Sequence, residues 1–432
     1  MAKKPGKLLV LLSAIPGAAL LSTALLADIL TGSNNDFGNS QTLMVLAGVF
    51  AMLAGIVLAR RMSTHELNKR ACIFRLVLLG VGFVIAFALS EVICAVVIAK
   101  FNAGKLRIFE FDAAGTVEGI GVKRNFSQTW LNSEFSVEID LNNIGLRERD
   151  DYQGENIDIG FYGDSFTFGH GVNFGERYSD VLRQSFPSRK IVSFSYRNGW
   201  TTPHYYLFVK RHPDLLPETG VLGLFLGNDL TCDIEETQLR FDKSGELTSV
   251  FPLVRTVDKR GFLVNKRYNL WERLASRTWT GEMVLRVLNR LGIRGSRARG
   301  ANSQPSLQFD RGQVDDASTT ALRFIKELDD HFRAENRRFV VFLIPRSFYV
   351  GEYDCNHDRE AAVDIRENQY LTKRIVDWCR EHGVEVINPI PEFKKLEQAG
   401  VRLYFERDGH WNARGHSEAA RILATYLQQG TE

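Results

Sequence analysis

Ile157-Asp158-Ile159-Gly160-Phe161-Tyr162-Gly163-Asp164-Ser165-Phe166-Thr167 is the stretch on which the fold turns. Its opening half, Ile157 to Tyr162, is a largely apolar run of strand length that stops at Gly163-Asp164-Ser165. A small nucleophile therefore sits at the carboxyl end of a strand, where open α/β sheets bind their ligands. Far downstream, Asp408-Gly409-His410 brings a carboxylate and an imidazole just ahead of a predicted terminal helix. A serine hydroxyl is a poor nucleophile until a neighbouring base takes its proton, so the two blocks read as halves of one esterase site.

The rhythm around this stretch supports the strand assignment. Ile157 to Tyr162, Ile191 to Tyr196, Val221 to Leu226, Phe339 to Ile344 and Val384 to Ile387 are short apolar runs rich in Val, Ile and Phe. Helical patterns lie between and after them: Arg177 to Gln184, Tyr205 to Arg211, Thr319 to Glu335, Asn368 to His382 and Ser417 to Gln428. Strands alternating with helices predict a central parallel sheet of about five strands in a three-layer α/β/α domain over residues 156–430. Residues 231–313 break the rhythm and read as an insertion, with a basic run from Arg286 to Arg299 that is best explained as a solvated face. Residues 101–155 are polar, with short β-like pieces such as Phe135 to Ile139, and read as a lead-in.

Residues 1–100 have a different character. Leu8 to Ala27, Thr42 to Ala59 and Leu76 to Ala99 are apolar runs with few charges, near the roughly 20 residues a helix needs to cross a bilayer. Three transmembrane helices are expected from them. Lys3, Lys4 and Lys7 precede the first run as in a secretory signal, but its length and the lack of a clean A-x-A site favour a retained helix. Lysines and arginines flank the first and second runs on alternate sides, which predicts a multi-pass protein of a bacterial inner membrane with everything after Ala99 on the periplasmic or extracellular side. Membrane lipid is then an expected partner. Glu91 lies late in the third run, where pairing with another helix or an interfacial position is its ordinary explanation.

Cys232, Cys355 and Cys379 lie in the expected exported part, where an oxidising compartment permits one disulfide among the three. The sequence does not select the pair. Cys355-Asn356-His357 lacks a second Cys/His cluster at zinc-ligand spacing, so no metal and no cofactor is expected. A net charge of +3 is too small to argue for nucleic acid.

Four blocks now stand in one order: Gly163-Asp164-Ser165, Gly199, Gly227-Asn228-Asp229 and Asp408-Gly409-His410. This pattern resembles the SGNH, or GDSL-type, hydrolase superfamily over about residues 142–428. Asn143-Ile144-Gly145-Leu146-Arg147 and Phe168-Gly169-His170-Gly171-Val172 resemble membrane-attached bacterial members. The resemblance implies a flavodoxin-like SGNH fold. It also implies Ser165 as nucleophile, His410 as base, Asp408 as the carboxylate that orients it, and an oxyanion hole from Ser165, Gly199 and Asn228. Many members separate the final carboxylate and histidine by two residues, whereas only Gly409 intervenes here, as in relatives acting on bacterial exopolysaccharides.

Other histidines compete for attention. His416 shares the final segment but lacks a carboxylate at a useful spacing; His170 and His204 either line the cleft or cap and solvate loops. The implied function is a serine esterase removing acyl groups, acetyl above all, from a carbohydrate or cell-envelope polysaccharide. An O-acyltransferase, or a non-catalytic scaffold working with polysaccharide-assembly proteins, is the alternative. Fold and triad do not fix the ester.

Overall fold

A strand that reads as an unbroken run of Val, Ile, Leu and Phe must be covered on both faces, and the centre of this molecule is built from such strands. The computed structural model describes residues 105–110, 112, 120–154, 156–195, 200–227, 229, 237–252, 255–257, 263–265, 311–353 and 364–429, with 82, 87–97, 280, 281 and 283–285. After a short antiparallel pair of Phe109–Glu110 with Gly121–Val122 comes a hairpin of β1 (Phe126–Leu131) and β2 (Ser136–Leu141). Then follow β3 (Ile159–Gly163), β4 (Ile191–Ser195), β5 (Thr219–Phe225), β6 (Arg338–Ile344) and β7 (Glu385–Ile387). These last five form one parallel sheet in the order β7-β6-β5-β3-β4, as the alternating pattern predicts.

The longer described helices around the sheet are α1 (Tyr178–Ser185), α2 (Thr202–Arg211), α3 (Arg311–Ala334), α4 (Asp364–Glu381), α5 (Ile390–Gln398) and α6 (Ala413–Gln429). Successive strand residues point to opposite faces, and β3 shows which helices cover which. Phe161 meets Tyr178 of α1 edge-on at 5.2 Å, while its neighbour Tyr162 meets Phe208 of α2 and Phe332 of α3. Tyr178 in turn stacks on His416 of α6. So α1 and α6 lie on one face, and α2 and α3 on the other.

The chain leaves β3 for β4 on one side and then crosses to β5 on the other. Strand order thus reverses at β3, which is the switch point where such sheets form their binding crevice. Gly163 ends β3 because the chain folds straight back: a Cβ there would lie 1.9 Å from Thr167 Oγ1.

The stretch expected as a polar lead-in is folded. The pattern of β2 alternates exposed and buried residues, so the hairpin turns one face inward. Trp130, Phe135, Val137, Ile139 and Leu141 pack with Ile108, Phe109 and Phe168 in a second small core. The chain divides into two compact units, one of Gly104–Lys266 and Ala298–Glu432, the other of Met1–Ala103 and Arg267–Arg297. Within the span read as an insertion, a hairpin of Thr237–Phe241 and Leu247–Pro252 buries Leu247 and Val250 in the main core. The basic run from Arg286 to Arg299 lies outside the described residues.

The three expected transmembrane helices are corrected by the structure: among the described residues, no helix is long and apolar enough to cross a membrane. Leu8 to Ala27 and Thr42 to Ala59 lie outside the described residues, and of Leu76 to Ala99 only 82 and 87–97 are described. Polar ties occupy the helical residues 87–97, since Glu91 Oε1 accepts the Thr280 backbone N–H at 2.8 Å and Ser90 Oγ lies 3.0 Å from Thr280 Oγ1. Of the cysteines weighed for a disulfide, Cys379 is a buried free thiol that burial pushes up to about 12; Cys232 and Cys355 lie outside the described residues.

Candidate active site

The turn after β3 is built locally. Ser165 begins a short helical turn, Ser165–Phe168, and Asp164 caps it by accepting the Phe166 N–H at 3.0 Å. Asp164 is buried, and burial pushes its carboxyl up to about 6 against the opposing effects of the Phe166 amide, His410 and Ser165. Ser165 itself is half-buried, which leaves its hydroxyl open to a ligand at the sheet's carboxyl end.

The second half of the site arrives from the loop before α6. Ser165 Oγ lies 2.8 Å from His410 Nε2, and His410 Nδ1 lies 2.6 Å from Asp408 Oδ1. An ionised carboxylate only accepts, so Nδ1 carries the ring proton and the bare Nε2 accepts from the serine. Gly409 makes the one-residue spacing workable. Its φ of +79° turns the backbone through the left-handed region, which lets the side chains on either side of it meet. Burial would raise the Asp408 carboxyl, but the imidazoles of His170 and His410 hold it well below the usual carboxylate range.

Gly199 and Asn228 lie outside the described residues, so of the expected oxyanion donors only Ser165 is described. The flanks of Asn228 are fixed at the end of β5. Arg346 Nη2 donates to the Gly227 carbonyl at 2.7 Å, and Asp229 Oδ2 accepts the Phe225 N–H at 2.9 Å. Beside Gly199, Trp200 is buried and its carbonyl accepts the Tyr205 hydroxyl at 2.9 Å. Trp200, Tyr205 and Trp411 are packing residues.

The remaining histidines separate cleanly. His416 is buried with Nδ1 accepting the Tyr178 N–H at 3.3 Å, and burial pushes it down to about 3. His204 closes a capping box with Thr201 at the start of α2, also pushed down to about 3 by burial. His170 is at the site: its Nε2 lies 3.1 Å from Asp408 Oδ2, and its ring stacks on His410 with centroids 3.7 Å apart.

Two residues of the site were given no role by the sequence. Glu134, in the β1–β2 turn, accepts the Asp408 N–H at 2.8 Å and the Arg407 N–H at 3.1 Å. Arg147 is buried and donates to four carbonyls, those of Phe168, Gly169, Val172 and Glu138, at 2.7 to 3.0 Å. Burial, reinforced by Arg177, pushes this guanidinium down to about 9. The structure thus brings the 143–147 stretch against the 168–172 stretch, the two that carried the family resemblance upstream and downstream of the serine. A charge next to apolar Leu146 was the available signal for Arg147; nothing local marks Glu134.

Among the described residues, His170, Asp408 and His410 are the one group of His, Cys, Asp and Glu whose ligand atoms are close enough to hold a metal ion, within 4.8 Å of one another. Those same atoms already serve the hydrogen bonds above, and a cation would have to displace them.

Residues 307–432 match the family model ALGX, described as an SGNH hydrolase-like domain, acetyltransferase AlgX. The match holds Asp408 and His410 but not Ser165, and supports the SGNH superfamily resemblance. No curated protein matches the chain. Solved structures similar to it include a lipolytic protein of the G-D-S-L family from Veillonella parvula, at 12% identity and TM-score 0.34, covering 63% of this chain and 99% of that one. A carbohydrate acetylesterase family member from Sinorhizobium meliloti, at 13% identity and TM-score 0.34, covers 63% and 98%. An acetyl xylan esterase, AlAXEase, at 12% identity and TM-score 0.33, covers 63% and 100%.

Proposed function

We propose that this chain is an SGNH-type serine enzyme that acts on acyl esters through Ser165, His410 and Asp408. The observation that carries the reading is the continuous line from Asp408 Oδ1 to His410 Nδ1, 2.6 Å, and from His410 Nε2 to Ser165 Oγ, 2.8 Å. In the proposed reaction Ser165 Oγ attacks the acyl carbon while its proton passes to His410 Nε2. Asp408 steadies the imidazolium without taking the proton. The carbonyl oxygen becomes an oxyanion that the Ser165 N–H faces, with Gly199 and Asn228 as the expected further donors. Collapse of the intermediate returns the proton from His410 to the leaving alcohol oxygen and leaves an acyl-serine, which an incoming hydroxyl attacks by the same steps in reverse.

If that hydroxyl is water, the enzyme is an esterase, and we take acetyl groups on a carbohydrate or envelope polysaccharide as the substrate. The match to a model described as an acetyltransferase favours a second reading, in which a sugar hydroxyl receives the acyl group. Such a polymer is met outside the cytoplasm, so an exported location and polysaccharide-assembly proteins as partners belong to the same proposal. The test is labelling of the purified chain with a serine-directed phosphonate and peptide mapping. Modification at Ser165, lost in His410→Ala, is expected; a folded, unlabelled parent overturns the proposal. Partition of acetyl from a chromogenic ester between water and added oligosaccharide then separates the two readings.

A further inference from the structure

Asp408 is gripped from both sides. Its Oδ1 meets His410, while its Oδ2 meets His170 Nε2 at 3.1 Å. A carboxylate offers only acceptors, so His170 Nε2 must carry a proton and donate it. The two rings are parallel to within 1° with centroids 3.7 Å apart, as befits two donors aimed at the two oxygens of one planar group. With Oδ2 bound, the carboxylate has lost the freedom to rotate away from His410 Nδ1.

His170 is itself immobilised. It is 5% exposed, and Trp130 of β1 meets its ring edge-on at 4.3 Å while Phe135 does so at 5.5 Å. The carbonyls of Phe168 and Gly169, just before it, are bound by Arg147. A solvated loop histidine has none of these constraints.

We infer that His170 is a positioning residue for the proposed hydrolytic relay: it holds Asp408 by its second oxygen so that the first stays aligned on His410. This rests on the reading of Ser165, His410 and Asp408 given above, and the two can fail separately. Three variants of the full chain decide it. His170→Phe keeps a flat ring among Trp130, Phe135 and His410 but removes the donor; His170→Gln restores an N–H donor; Asp408→Ala removes what the donor holds.

With p-nitrophenyl acetate, His170→Phe is expected to lower kcat by about 10- to 100-fold, the range typical of partners that orient a functional imidazole, with KM changed less than about threefold. His170→Gln recovers most of the loss. In the Asp408→Ala background, His170→Phe costs less than about threefold more, because residues acting as a unit are not additive. A merely structural role gives equal losses in both backgrounds and no rescue by Gln, and that outcome overturns the inference.

Imidazole ¹⁵N NMR gives a readout that does not need turnover. The parent is expected to show His170 with a protonated, slowly exchanging Nε2 whose signal is lost in Asp408→Ala, and its persistence there also overturns the inference. A parent without Ser165 labelling that still shows this coupling sinks the enzyme reading and leaves the clamp standing.

Discussion

Ser165 is fixed by its neighbours in sequence, whereas Asp408 is fixed by His170, 238 positions away, and by Glu134, 274 positions away. The nucleophile turn needs Gly163 to fold back and Asp164 to cap it, and both requirements are met within three residues. The loop of Asp408 and His410 is closed locally by Gly409 and by the Phe405 N–H on the His410 carbonyl at 2.9 Å, but Asp408 within it is also held by the β1–β2 hairpin and the 168–172 segment. One half of the site is therefore a product of local chain geometry. The other needs tertiary packing as well, and should respond to changes far from the chemistry.

The largest effects come from the reacting groups and test whether the halves act together. Ser165→Ala is expected to abolish phosphonate labelling and to lower ester turnover by about 10⁶-fold, as loss of a nucleophile within a concerted unit does. Ser165→Ala that keeps polysaccharide-dependent function in cells would instead favour the scaffold reading. Asp408→Asn is expected to cost about 10⁴-fold in kcat with folding retained, because the amide lets His410 adopt the wrong tautomer. Circular dichroism checks the fold, and steady-state kinetics the loss.

This contrast also marks what could be read from the sequence. The five strands were legible because each is a short run of β-branched and aromatic residues between turn signals, and Ser165 because it ends one of them. The hairpin at 126–141 was only glimpsed, since its strands are half polar and a half-buried ribbon resembles a solvated linker until its apolar face finds Phe168 and Ile108. α5 went unread because Pro389 and Pro391 look like breakers, although proline suits the first turn of a helix. Glu134 and Arg147 are charged residues whose partners are backbone groups, and no periodicity or spacing reports such contacts. The apolar runs before residue 100 were over-read in the opposite sense: hydropathy gave three spanning helices, and no described helix is both long and apolar enough to span.

The next effects concern stability rather than chemistry. Arg147→Met keeps the stem but strands four carbonyls that now accept from the guanidinium, at about 1.5 to 3 kcal/mol for a charged hydrogen bond. A loss of about 3 kcal/mol or more is expected in urea unfolding, together with slower labelling of Ser165 because the 168–172 segment loosens. An unfolding midpoint equal to the parent's breaks the claim that this arginine ties the lead-in to the site.

His204 gives a smaller, pH-dependent effect on the local side. Burial pushes it down to about 3 from an ordinary value near 6.5, so in the window between these the unfolded chain binds the extra proton. Its contribution is intact above about pH 6.5 and declines as pH falls, by about 1.4 kcal/mol per pH unit. His204→Gln preserves the capping-box geometry with Thr201 and removes the titration, so its urea midpoint between pH 6.5 and 4 should fall less steeply than the parent's. Parallel curves refute the assignment.

The finest test of the comparison is Glu134→Gln. The glutamate carboxylate accepts the backbone N–H groups of Arg407 and Asp408 at 3.1 and 2.8 Å, and these sit immediately before the Gly409 turn. Glutamine keeps one acceptor and presents its amide N–H₂ to the other donor, so the loop loses about 1 kcal/mol of anchoring without losing side-chain volume. If tertiary packing holds Asp408 in line, kcat should fall about three- to tenfold while the unfolding midpoint moves little, because the turn is half-buried and the core is untouched. The matching change at an exposed carboxylate away from both the 405–410 loop and the 168–172 segment, Glu381→Gln, should leave kcat within about twofold. Equal responses at the two positions would mean that the 405–410 loop holds its own shape, and that Gly409 alone is sufficient to align Asp408 on His410.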